Sequence, residues 1–190
     1  MNCPYITKSG DKGKTSIMNK RLAKYSPLIC FIGALDEINS NIGLILSHIN
    51  EKNFSDLNLT KLLLNIQNQL LNIGGYMSGG NITIDEKYHL YIEEQSNLFF
   101  KNLKNANNFV FPGGSMLSSY IHITRCIIRR SETIFWQYIN QANSESESQP
   151  ESQHVGQYIN RLSDLFFVLG RLHGQKNELL WKVGEFLYEQ

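Results

Sequence analysis

Between Pro27 and about Ile49 the apolar residues Leu28, Phe31, Ile32, Leu35, Ile38, Ile42, Ile45 and Ile49 recur every three or four positions, the period of one face of an α-helix. The same period returns from about Leu57 to Tyr76 through Leu59, Leu62, Leu63, Ile66, Leu70 and Ile73, and stops at Gly74 and Gly75. Thr83, with Glu86 three residues on, has the form of a capping box and predicts a third helix to about Leu103. Pro112, Gly113, Gly114 and Ser115 make a turn and an N-cap for a long fourth helix to about Asn140. A fifth helix is predicted from about Val155 to His173, and residues 175–188 predict a weaker sixth. Strand-like alternation is almost absent. The pattern predicts an all-α antiparallel helix bundle with short connections.

Two stretches stand outside that period. Residues 1–24, including ITKSGDKGKTSIMNKRLAK, carry Gly, Thr, Ser and Lys without apolar periodicity and predict a non-helical, ligand-ordered arm. SESESQPES, from Ser144 to Ser152, is polar and low in complexity and predicts a solvated linker. A single domain over 1–190 follows, with arm 1–24, bundle 25–173 and a C-terminal helical extension 174–190.

Composition narrows the class without naming it. With 42% hydrophobic residues, 18% charged and a net charge of +1, the 190-residue chain can bury a core and gives no electrostatic reason to expect nucleic acid or a membrane surface. No uninterrupted apolar run reaches the length of a bilayer span. Cys3, Cys30 and Cys126 lack the spacing of a zinc site, and the start of the chain lacks a signal-peptide pattern. A reducing, cytoplasmic location is expected, or a mitochondrial matrix if a transit peptide precedes this sequence. The apolar neighbours of Cys30 and Cys126 predict inert core thiols.

Charge among apolar residues is the informative feature. In FVFPGGSMLSSYIHITRCIIRRSETIF, residues 109–135, Arg125, Arg129 and Glu132 stand at i, i+4 and i+7 and share one sector of a helix that is apolar nearly all round. Arg130 points elsewhere. Asn160, Asp164, Phe167 and Arg171 share one side of the fifth helix, and Asp36, Asn39, Ser40 and Gly43 share one side of the first. Each stripe alone reads more readily as the wet face of an amphipathic helix. Together, with arginines on one and carboxylates on others, they suit a shared polar site or a subunit interface. Arginine suits a polyphosphate ligand, because its planar fork binds phosphate oxygens in pairs and keeps its charge when desolvated.

The arm supplies matching chemistry. Gly10 and Gly13 permit close backbone approach to an anion, Thr7, Ser9, Thr15 and Ser16 add hydroxyls, and Lys8, Lys12, Lys14 and Lys24 add charge. GDKGKTS shares GKT with a P-loop but has Lys8 where the earlier glycine belongs, which disfavours a Walker-type NTPase. Glu86 with His89 and Glu151 with His154 have the Glu-x-x-His spacing of di-iron bundles, yet the further bridging glutamates are missing. No nucleophile stands with a base, so if the protein is an enzyme its reacting atoms are expected to belong to the ligands.

Taken together, YITKSGDKGKTSI, GALDEINSNIG, FVFPGGS, RCIIRRSE and YINRLSDLFFVLGR resemble, in order and over nearly the whole chain, the ATP:cob(I)alamin adenosyltransferases of the PduO type. The resemblance implies a homotrimer of five-helix bundles with active sites at subunit interfaces. It implies transfer of the 5′-deoxyadenosyl group of ATP to the cobalt of reduced cobalamin, with release of triphosphate and help from Mg2+. A cobalamin reductase and an adenosylcobalamin-dependent mutase are the implied protein partners.

Residue by residue, the resemblance places ATP on Thr7, Lys8, Ser9, Gly10, Thr15 and Ser16, with Lys24 following across a one-residue gap. It also places ATP on Arg129, Arg130, Ser131, Glu132 and Thr133, and on Asn160, with Arg161 and Asp164 completing NRLSD. Asp36 and Arg125 match a pair that crosses the subunit interface. Phe109 matches the aromatic that covers the lower corrin face and keeps an axial ligand off cobalt. Glu132 is expected to orient Arg129 or to help hold the metal, whose other ligands are ATP phosphates. The chain departs from the family pattern at Ser131, Thr133 and Ala34, where Ala, Arg and Thr are usual.

Overall fold

The computed structural model describes residues 3–18, 20–52, 56–144 and 152–185. Strands β1 (Lys14–Ile17) and β2 (Lys20–Ala23) precede helices α1 (Pro27–Glu51), α2 (Leu57–Met77), α3 (Glu86–Phe100), α4 (Met116–Ser144) and α5 (Ser152–Gly174). The apolar stripes read from the sequence meet in one core. Phe31, Ile38, Ile42, Ile45, Leu63, Ile66, Phe135, Tyr158, Ile159 and Phe166 are all fully buried within it. By length and composition α1 passes for a membrane span, although no uninterrupted apolar run predicted one; its apolar face is part of this core.

Helix α1 runs antiparallel to α4, as the contacts Phe31–Phe135 (5.1 Å between ring centroids) and His48–Tyr120 (5.5 Å) show. Helices α4 and α5 lie close together because α5 carries glycine where α4 presses on it. A methyl at Gly156 would sit 2.8 Å from the Trp136 ring, and one at Gly170 would sit 2.8 Å from His122 Nε2. Between them the Ser118 hydroxyl donates to the Gly170 carbonyl at 2.7 Å. The PGGS turn is a crossing point: Gly114, at φ 90°, passes so close to Gly174 that neither has room for a side chain.

Several local expectations change. Asp85, not Thr83, caps α3, its side chain accepting from the Lys87 amide at 3.1 Å. The arm forms a two-stranded antiparallel hairpin pairing Thr15 with Leu22 and Ser16 with Arg21. The sixth helix is absent through residue 185: a 3-10 turn at Gln175–Asn177 gives way to extended chain, in which Leu180 bridges to Val110. Backbone pairing with the 109–111 loop replaces helical bonding there. Cys30 and Cys126 are exposed rather than buried, because they fall on the outward sides of α1 and α4. Residues 145–151 of the polar linker, including Glu151, lie outside the described residues.

His122, 6% exposed, has its imidazole held below the usual histidine range by burial and by Arg125, with Glu178 pulling the other way. His173 is lowered in the same sense by burial, against the pull of Asp56. A depressed folded-state pKa means that the unfolded chain takes up the proton first as pH falls. The stability present above about pH 6.5 is therefore lost below it. The urea midpoint is expected to drop between about pH 7.5 and 5.5, and to drop less in His122→Gln. Equal pH dependence in the two proteins would remove His122 from the explanation.

Candidate active site

The stripes of α4 and α5 face each other along one seam. The Arg125 guanidinium lies 5.1 Å from the centroid of the Phe167 ring, a cation–π contact, and its buried Nε has no hydrogen-bond partner among the described residues. Two turns along, Asn160 Nδ2 donates to Glu132 Oε1 at 3.1 Å. Arg161 Nη1 donates to Asn160 Oδ1 at 2.9 Å, and Arg161 Nε donates to Glu93 Oε1 on α3 at 2.6 Å. The hydrogen bond to Glu93 raises the Arg161 pKa. Glu93, Arg161, Asn160 and Glu132 thus form one polar relay across three helices. It fixes both ends of the Asn160 amide and holds the Glu132 carboxylate at the seam.

Arg129 sits on α4 between Arg125 and Glu132, which the α4–α5 register sets level with Ser163 and Asp164. It is exposed and has no ion pair among the described residues. Thr133, also exposed, donates its hydroxyl to the Arg129 carbonyl at 3.3 Å. Arg130 turns the other way, as its place off the stripe requires, and pairs with Glu37 of α1 at 2.6 Å with both side chains about half exposed. Ser131 points into the bundle, fully buried, its hydroxyl bonded to the Ile127 carbonyl at 2.8 Å.

The stripe of α1 does not join this seam within one chain. Asp36 and Asn39 line a cleft of about 180 Å³ with Leu70 and Gly74 of α2 and with Ser78 just beyond its end. Asp36 is exposed and makes no ion pair among the described residues. The α1–α4 register places Arg125 level with about residue 42, roughly 9 Å along the axis from Asp36 at 1.5 Å per residue.

The arm is a self-contained cradle. The Thr7 and Ser9 hydroxyls are 2.9 Å apart, and Lys8 takes a left-handed conformation at φ 54°. Arg21 reaches back to the Ser9 carbonyl at 2.6 Å and to the Ser16 hydroxyl at 3.2 Å. Lys24 lies over Gly10, where an added methyl would come within 2.9 Å of its Nζ. Thr7, Lys8, Ser9, Gly10, Ser16 and Lys24 are therefore gathered, with Thr15 half-buried beside them in β1. No hydrogen bond or ion pair among the described residues ties this cradle to α4 or α5. Phe109 stands apart on the loop before α4, 73% exposed, with its ring 5.8 Å from that of Trp181.

Sequence reasoning missed Glu93, Arg21, Glu37 and Trp181. Arg21 faces Ser16 across the hairpin, a signal available only once that hairpin is known. Glu93 lies 68 positions from Arg161, and helical spacing says nothing about which neighbour an outward carboxylate meets.

Comparison with known proteins bears on this geometry. Residues 5–173 match the family model for cobalamin adenosyltransferase. The corrinoid adenosyltransferase of Mycobacterium leprae is 32% identical over 190 residues, covering 94% of this chain and 95% of that protein. A phenylalanine-to-histidine variant of the PduO-type ATP:corrinoid adenosyltransferase from Lactobacillus reuteri, complexed with cobalamin and ATP, superposes with a TM-score of 0.81. It shares 28% identity and covers 97% of this chain and all of its own. An arginine-to-lysine variant of the same enzyme, complexed with ATP, superposes with a TM-score of 0.78 at 29% identity, covering 93% of this chain and 99% of its own.

Proposed function

The chain belongs to the cobalamin adenosyltransferase family, and on that premise we propose how its residues divide the work. The protein transfers the 5′-deoxyadenosyl group of ATP to the cobalt of cob(I)alamin. Co(I) supplies the electron pair to C5′, the C5′–O bond breaks, and triphosphate leaves with the bonding electrons. Charge grows on the bridging oxygen as that bond opens, and preorganised cations beside it lower the barrier.

The observation that carries the assignment is Arg129, without an ion pair among the described residues, beside a relay that fixes Glu132. Arg129 is left available for phosphate oxygens, whereas Arg161 is committed to Glu93 and Arg130 is shared with Glu37. Glu132 acts by holding Asn160 and the Arg129 side of the seam in place. Ser131 contributes through the packing of α4, since its hydroxyl is already bonded inside the helix. The arm cradle, Thr7 to Gly10 with Thr15, Ser16 and Lys24, closes over the nucleotide.

Magnesium arrives on the phosphates. Mg2+ bound to a nucleotide keeps several waters and takes one or two carboxylates beside the phosphates, so it needs no protein cage, and among the described residues no group of three or more His, Cys, Asp or Glu forms one. Glu132 is the residue that would hold it, and the ion would supply further neutralisation of the leaving group.

Among the described residues one chain leaves the site incomplete: no hydrogen bond or ion pair joins the cradle to the seam, the buried Arg125 Nε has no hydrogen-bond partner, and Asp36 makes no ion pair. These three observations support a subunit interface in which Asp36 of one subunit meets Arg125 of the next, and the resemblance to the PduO-type enzymes makes the assembly a homotrimer. The mass in solution is expected to be three times 21.8 kDa, and Asp36→Arg is expected to shift it toward monomer by setting like charges together. A monomeric native protein removes the interface reading.

The test of function is incubation with ATP, cob(II)alamin and a reductant. Adenosylcobalamin absorbance with stoichiometric triphosphate is the expected outcome. Orthophosphate release, or binding without product, overturns the reading.

A further inference from the structure

The loop that presents Phe109 does not hold itself. Its far end is the pair Gly113 and Gly114, both at positive φ, and the Phe109 ring projects largely into solvent. What fixes it is the chain beyond α5. The Trp181 amide donates to the Phe109 carbonyl at 2.7 Å, and the Phe111 amide donates to the Leu179 carbonyl at 2.9 Å, around the Val110–Leu180 bridge. Asn108 closes the arrangement: its Nδ2 donates to the Trp181 carbonyl at 2.7 Å and its Oδ1 accepts from the Phe109 amide at 2.8 Å. Both backbone polar groups of Phe109 are therefore bonded, and the Trp181 ring lies beside its side chain at 5.8 Å and 54°.

This added strand is itself anchored deeply. Arg171 of α5 donates from Nε and Nη2 to the two oxygens of Glu178 at 2.8 and 2.9 Å, and from Nη2 to the Lys104 carbonyl at 2.9 Å. Asn177 Nδ2 donates to the Gly114 carbonyl at 3.0 Å. Both ends of the 104–114 loop are thus tied to residues 171–181. If the loop needed only to be closed, the ties at Lys104 and Gly114 would serve. The bonds at Asn108, Phe109 and Phe111 converge instead on one exposed aromatic, and a ring that must occupy one place against a substrate gains from being ordered beforehand.

We propose that Trp181 is a positioning residue for Phe109, the strand it belongs to setting that ring against the lower face of the corrin substrate. The proposal rests on the assignment of Phe109 as the residue that keeps the axial ligand off cobalt. Trp181 acts through Phe109, and it takes no part in holding ATP.

The test uses the full chain with ATP and cob(II)alamin, reading four-coordinate Co(II) by electron paramagnetic resonance and ATP affinity by calorimetry. Trp181→Ala is expected to lower the four-coordinate fraction roughly two- to tenfold, the range an aromatic pair controls, with ATP affinity unchanged. Trp181→Phe restores most of it. In a Phe109→Ala background Trp181→Ala has no further effect. A wild-type spectrum for Trp181→Ala beside an impaired Phe109→Ala overturns the proposal alone, as does an equal additional loss in the double variant. A wild-type spectrum for Phe109→Ala takes down the assignment beneath it as well. If Trp181→Ala fails to fold, Asn108→Ala, which removes only the side-chain tie, gives the same readings.

Discussion

Replacing Arg129 by alanine is expected to slow adenosyl transfer at least about 10²- to 10³-fold, the loss typical of removing one preorganised donor from a developing anion. Arg161 spends its guanidinium on Glu93 and Asn160, Arg130 reaches Glu37, and Arg125 lies over Phe167. Arg129 alone on the α4 stripe is exposed without an ion pair among the described residues. Its removal should therefore change stability by no more than about 0.5 kcal/mol, and thermal unfolding should be unaltered while turnover collapses. Arg129→Lys, which keeps the charge and loses the fork, should fall between. Near-normal turnover in the alanine variant would assign the phosphates elsewhere.

The largest stability effect is expected at the root of the C-terminal strand. Arg171 is 7% exposed, and both Glu178 oxygens are bonded to it. Glu178→Ala leaves a buried guanidinium with the Lys104 carbonyl as its remaining acceptor, which should cost about 3–5 kcal/mol. Glu178→Gln keeps one acceptor and should cost less. The Arg130–Glu37 pair is a control of the same chemistry in another setting: its side chains are 57% and 47% exposed, so Glu37→Ala should cost under about 1 kcal/mol. Urea unfolding of the three variants decides the matter. Comparable losses for Glu178→Ala and Glu37→Ala would show that burial is not what distinguishes the two pairs.

The helices were legible because each carries an apolar face of period three to four, and burying those faces together leaves few arrangements. The hairpin was not legible, since Lys14–Ile17 and Lys20–Ala23 are short and present no buried face for alternation to mark. The tail misled for a related reason: Leu179, Leu180, Trp181 and Val183 suit a helix, yet pairing with residues 109–111 decides their conformation. Within the site, the sector shared by Arg125, Arg129 and Glu132 could be read directly from spacing, as could Asn160 with Phe167 on α5. Their meeting at one seam could only be suspected. Ser131 was carried by motif alone, and its position one residue off the stripe turns it inward. The relay through Glu93 had no sequence signal at all, because contacts between distant helices depend on the register of packing.

Gly156 and Gly170 bracket the stretch of α5 that carries Asn160, Asp164 and Phe167. Two missing methyl groups therefore act as a gauge for the gap that, on the proposed assignment, handles the phosphates. A single carbon added at either end would wedge the helices apart and pull Arg129 out of reach of its cargo, altering turnover from positions that never meet a substrate.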